Sequence, residues 1–153
     1  MTRRTRLSAA VSIALVLLGV LAFLLLSSEK ARQQNDLSHV KALMVTLLLY
    51  AHDYGEAFPE DLGVLFEQGY CTSGRVYVSA DSATPPPASA AEIRAGQCDY
   101  LYYGKGLRRP DCSPETVILM TRPGVRRRTY VGLGFADGHV EGRSSPPLLN
   151  PVP

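Results

Sequence analysis

A chain of 153 residues, 46% hydrophobic and 20% charged, with a mean hydropathy near zero, has room for one modest core and excludes a large multidomain enzyme. The formal charge of +2 comes from the first six residues: Arg3, Arg4 and Arg6 are three of the 16 basic side chains, and no acidic residue precedes Glu29. The remainder sets 13 basic against 14 acidic groups, so the basic face that nucleic-acid binding needs is missing and no nucleic acid is expected as a partner.

The first element is apolar. Leu7 to Leu26 reads LSAAVSIALVLLGVLAFLLL, with only Ser8 and Ser12 interrupting it, and no charged residue occurs from Leu7 to Ser28. About 20 such residues at roughly 1.5 Å each span about 30 Å, the hydrocarbon thickness of a bilayer. Residues 1–6 are then a basic flank and 7–28 a transmembrane helix, with 29–143 an exported domain and 144–153 a disordered proline-rich tail. The three arginines ahead of the span place the N-terminus in the cytoplasm. Two readings of the span stand, a retained signal-anchor and a cleaved signal peptide, and its length favours the anchor. The lipid bilayer is the first expected partner.

Beyond it, Leu37, Val40, Met44, Leu47, Ala51 and Tyr54 recur at helical spacing, with Leu43 and Leu48 widening the stripe. Asp36 reads as a local cap, yet its neighbours tolerate helix, so one helix from Leu7 to Tyr54 is the alternative. Gly55 stops it. Pro59 opens a short helix to about Gln68, with Leu62, Leu65 and Phe66 as its apolar face. Four segments of strand character follow: Arg75–Ser79, Tyr100–Tyr103, Thr116–Thr121 and Thr129–Phe135. Between the first two lies a loop containing Pro85-Pro86-Pro87. Asp137-Gly138, between GFA and HVEG, is a strong hairpin signal. The order predicts an α+β fold, a long N-terminal helix packed on a small antiparallel sheet that it helps to bury.

Three stretches carry a family resemblance: LSHVKALMVTLLLYAHDYGEAFPEDLGVLFEQGY, YLYYGKGL and GLGFADGHVEG. In this order after an apolar helix, they resemble type IV pilin-like proteins and the pseudopilins of type II secretion, most closely the prepilin-type H-x9-D-G subgroup. The resemblance implies a pilin-like fold, a bacterial inner-membrane location with a periplasmic domain, and no enzyme activity. It also implies a structural role through protein–protein association, as a homo-oligomer or with pilus or secretion-system components. The chain departs from the family at two places. Arg6-Leu7-Ser8 stands where processed prepilins carry Gly and Phe-Thr-Leu-x-Glu, and Arg127 stands where the motif has His. An alternative therefore stands beside assembly, a membrane-tethered exported binding module that keeps the fold.

The resemblance further implies calcium at the strand-rich end, with Asp137 as the candidate ligand. From the residues alone no metal is assigned, because calcium takes six to eight oxygens and no DxDxDG loop or dense acidic cluster is present. Asp137 and Gly138 are then the turn of a hairpin. His52-Asp53 and His139 invite a general-base role, but no nucleophile motif accompanies them, so no catalytic residue and no cofactor are assigned. Cys71, Cys98 and Cys112 form no CxxC pair and His39, His52 and His139 are scattered, which disfavours zinc. Export permits one disulfide among the three cysteines without fixing the pair. Arg126, Arg127 and Arg128 form an interaction patch for an acidic surface or lipid headgroups, or a solvated loop between strands. The helix stripe from Leu37 to Tyr54 is the candidate assembly element.

Overall fold

The computed structural model describes residues 3–79, 82–125 and 130–146, with the side chains of residues 3–15 and 29 outside that description. It divides into two units, Met1–Arg32 and Gln33–Pro153.

The first unit is the N-terminal part of α1 (Arg3–Asp53). Its apolar side chains from Val16 to Leu26 are 51–69% exposed. Among the described residues no helix is long and apolar enough to cross a membrane. The expected span falls partly on residues 7–15, whose side chains lie outside the description.

In the second unit, α1 passes Asp36 without a break, so Asp36 is no cap. Val40, Leu43, Met44, Leu47 and Ala51 are fully buried, as their three- and four-residue spacing dictates for one face of a helix. Tyr54 lies beyond the helix end and is 48% exposed. The end is a left-handed cap: Gly55 takes φ 65° and the Glu56 N–H donates to the Ala51 carbonyl at 2.6 Å.

The short helix α2 (Leu62–Glu67) starts later than Pro59, because the Asp61 carboxylate accepts from the Val64 N–H and caps it. It buries Leu62 and Leu65. The segment expected as a strand at Arg75–Ser79 is instead a 3-10 turn, Gly74–Tyr77. Gly74 passes so close to the Pro87 carbonyl that no side chain fits there, and Tyr77 drops into the core with its hydroxyl donating to the Cys71 carbonyl at 2.9 Å. The proline-bearing loop contains a further helix, α3 (Ala90–Arg94). Ser89 accepts from the Glu92 N–H while Glu92 reaches back to the Ala88 N–H, in the manner of a capping box.

The sheet has four strands in sequence order: β1 (Tyr100–Tyr102), β2 (Val117–Thr121), β3 (Val131–Phe135) and β4 (Val140–Arg143), all antiparallel. A register shift between Val117 and Leu119 lets two successive residues, Ile118 and Leu119, both enter the core. Gly132 and Gly134 of β3 face α1, where Val40 and Met44 fill the space their side chains would occupy. The architecture is thus α+β, with a long N-terminal helix and a four-stranded antiparallel sheet.

Candidate functional site

The β3–β4 hairpin is a three-residue connection, Ala136-Asp137-Gly138. The Gly138 N–H donates to Phe135 O at 2.8 Å and the Phe135 N–H to His139 O at 3.1 Å. This is a type I turn closed by a left-handed residue, and Gly138 supplies it with φ 95°. A β-carbon on Gly138 would also meet Leu48 of α1, so the turn rests against the helix.

Asp137 fastens this tip. Its Oδ1 accepts from the His139 backbone N–H at 3.0 Å and lies 2.6 Å from His139 Nδ1. These contacts, the backbone bond foremost, hold its carboxyl below the usual range. The imidazole stacks on Phe135 with centroids 4.0 Å apart, and the Arg143 guanidinium stands 6.0 Å over the same ring. Arg143 in turn pairs with Glu141 at 2.8 Å.

Beside the tip lies an open cleft of about 360 Å³ lined by Arg109, Cys112, Pro114, Ala136 and Asp137. Arg109 Nε stands 2.9 Å from Glu56 Oε2. That oxygen is buried and, among the described residues, accepts no hydrogen bond. Glu56 itself has φ 68°, the one non-glycine residue with positive φ among those described. Around the tip stand charges of both signs, Glu56 with Arg109, Asp137 with His139, and Glu141 with Arg143.

The other candidates do not converge. His52 is exposed, and Asp53 accepts a 2.6 Å hydrogen bond from Tyr70, whose phenol this contact chiefly pushes up to about 12. His39 lies at the other end of the packed part of α1, its Nδ1 3.0 Å from Val78 O. Cys71 and Cys98 are buried free thiols and Cys112 is half-buried and free. Burial pushes Cys98 up to about 11, which disfavours the thiolate. Among the described residues no three His, Cys, Asp or Glu side chains group to hold a metal ion. The patch Arg126, Arg127 and Arg128 lies outside the described residues.

Of the helix stripe, Val40, Met44, Leu47 and Ala51 are used up in the domain's own core and Leu37 is half-buried. The apolar side chains that this part of α1 leaves exposed are Val45 and Leu49, on the opposite face.

One buried group escaped the sequence reading. Asp36 is fully buried, with Thr121 Oγ1 3.3 Å from its Oδ2 and Tyr100 Oη 3.5 Å from its Oδ1. Burial, then the nearby Asp36 carboxylate, raise the Tyr100 phenol strongly. Its position four residues before Val40, in line with the apolar stripe, was the available signal.

No protein-family model matches the chain, nor does any curated protein or solved structure.

Proposed function

We propose that the protein is a membrane-anchored, pilin-like structural protein that acts by protein–protein association in a secretion or pilus-type assembly. The observation that carries this reading is the double use of one helix. Its second half buries an apolar stripe under a small sheet, while its first half leaves Val16 to Leu26 exposed on all sides. An apolar surface of that extent in water would aggregate, and a bilayer or neighbouring apolar helices remove the cost. Lipid then holds the residues ahead of Glu29, the three arginines stay in the cytoplasm, and the sheet domain is exported. Association would proceed through side-by-side packing of the apolar helix segments, with Val45 and Leu49 extending the contact and the charged hairpin tip setting partner choice.

Cysteines introduced singly between Val16 and Leu26 in the full chain, oxidised in native membranes, test this. Crosslinks that follow one helical face support association. A ladder with no crosslinked species at any position removes it.

A second reading has its own observation. Arg6-Leu7-Ser8 replaces the prepilin cleavage motif, which favours a tethered binding module that is never processed into a fibre. An intact N-terminus on the membrane-extracted protein supports tethering, and trimming ahead of the apolar run supports assembly.

A further inference from the structure

Among the described residues the sheet ends on β4, whose Glu141, Gly142 and Arg143 are exposed. A glycine has only backbone to expose, so at Gly142 the open surface is the peptide chain itself. Residues 144–146 beyond the strand are exposed as well, and 147–153 of the expected proline-rich tail lie outside the described residues.

The ladder decides which backbone groups of β4 turn outward. The Phe135 N–H donates to His139 O, and the register continues with Leu133 opposite Glu141 and Val131 opposite Arg143. In an antiparallel pair, residues bonded to the neighbouring strand alternate with residues whose N–H and C=O point the other way. His139, Glu141 and Arg143 therefore face β3, while Val140 and Gly142 turn their amides and carbonyls to the outer edge. The side chains of Glu141 and Arg143 share one sheet face, two residues apart, and pair with each other at 2.8 Å while 46% and 42% exposed.

An exposed edge accepts another strand, and a row of like charges along it keeps a second copy away. Glu-Gly-Arg does the opposite. We propose that β4 pairs antiparallel with β4 of a second copy about a two-fold axis through Gly142. The two Gly142 residues then exchange both of their outward hydrogen bonds, and Val140 comes opposite Ser144. Each Glu141 stands opposite Arg143 of the second copy, so four charges of alternating sign close a ring on the sheet surface. Centring the axis on Glu141 would set glutamate against glutamate, and centring it on Arg143 would set arginine against arginine. Centring it on Val140 runs the pairing into the Ala136-Asp137-Gly138 turn, and a slip of one residue sets outward groups against inward ones. The axis stands normal to the sheet, so α1 runs in opposite directions in the two copies, whereas helices packed side by side in one bilayer share a direction. The edge contact is thus a separate interaction, independent of the membrane reading, between domains that meet from opposite sides or free of lipid.

Two cysteine variants read the register in the full, detergent-solubilised chain with Cys112→Ser as background. Gly142 is left alone, because a side chain there would meet Tyr130. Glu141→Cys and Arg143→Cys are oxidised separately and as a mixture. Residues 141 and 143 of opposite copies stand about 4.5 Å apart by α-carbon, within disulfide reach, whereas like positions lie about 8 Å apart, beyond it. The mixture should therefore give disulfide-linked dimer at several-fold the yield of either variant alone. Equal yields, or no dimer in the mixture, overturn the proposal. Charge reversal supplies a second measurement. Glu141→Arg and Arg143→Glu should each lower the dimer fraction in sedimentation, and mixing them should restore it, since every facing pair is again of opposite sign. A mixture no more dimeric than its components also overturns the pairing. Crosslinks along Val16 to Leu26 in native membranes are unaffected by either result, so this contact and the helix association fail separately.

Discussion

The α-carbon of Gly134 faces Met44 so closely that a methyl group there would overlap the thioether. Gly134→Ala therefore overpacks the helix–sheet contact and is expected to cost about 1–3 kcal/mol, read as a lower denaturant midpoint at unchanged slope. Met44→Ala opens the same space, so the double variant should be less destabilised than the sum of the two single ones. Additive effects would show that the residues are not in contact.

Thr121 links α1 to two strands. Its hydroxyl oxygen accepts the Gly132 N–H at 3.1 Å and stands 3.3 Å from the buried Asp36 carboxylate. Thr121→Val keeps the shape and removes the acceptor of the Gly132 N–H and the donor to Asp36 Oδ2, at about 1–3 kcal/mol. Thr121→Ser keeps the hydroxyl and should cost clearly less. Equal losses in the two variants would assign the effect to the methyl group and not to the hydrogen bonds.

Acid should loosen the hairpin tip. The folded carboxyl of Asp137 titrates below its ordinary value, so its contribution is complete above the unfolded value and disappears as pH falls through the folded one. Because Asp137 is exposed, the effect on global stability is small. The measurement is a carbon-detected NMR titration of the Asp137 carboxyl. The backbone N–H of His139 is the leading cause of the shift, so His139→Ala should retain part of it. Full return to the ordinary value in that variant would make the imidazole the cause.

Glu56 holds a left-handed backbone that disfavours side chains by about 1–2 kcal/mol. Its ion pair with Arg109, between side chains 33–43% exposed, returns at most about 1 kcal/mol. Glu56→Gly should therefore leave stability unchanged or raise it slightly in thermal unfolding. A marked loss would show that the Arg109 pair, or the cleft beside it, is more important to the fold than its exposure suggests.

Local periodicity made much of this fold legible. The stripe from Val40 to Ala51 is a helix face because three- and four-residue spacing is a property of neighbouring turns, and Gly55 and Asp137-Gly138 act within a few residues of themselves. The failures are non-local. Arg75–Ser79 alternates like a strand, but the approach of the Pro87 carbonyl to Gly74 and the burial of Tyr77 bend it into a 3-10 turn. Asp36 reads as a cap until Thr121, 85 residues away, is set beside it. The Ser89-x-x-Glu92 box was readable and was hidden by the prolines before it. At the hairpin, the turn could be read from the Asp-Gly pair, whereas the ion pair between Glu56 and Arg109 depends on a bridge between Ala57 and Arg108 that no local pattern announces.

Strand β3 reads Val-Gly-Leu-Gly-Phe, small residues toward the helix and large ones away from it. Sliding it by one position would drive Leu133 and Phe135 into Val40 and Met44 while turning two glycines toward the other side, so both faces would object to the same error. The strand is keyed, like a plug that enters its socket one way round. During folding this penalises mispaired intermediates as soon as the helix touches the sheet, and it makes the two glycines guardians of alignment as well as sites of close packing.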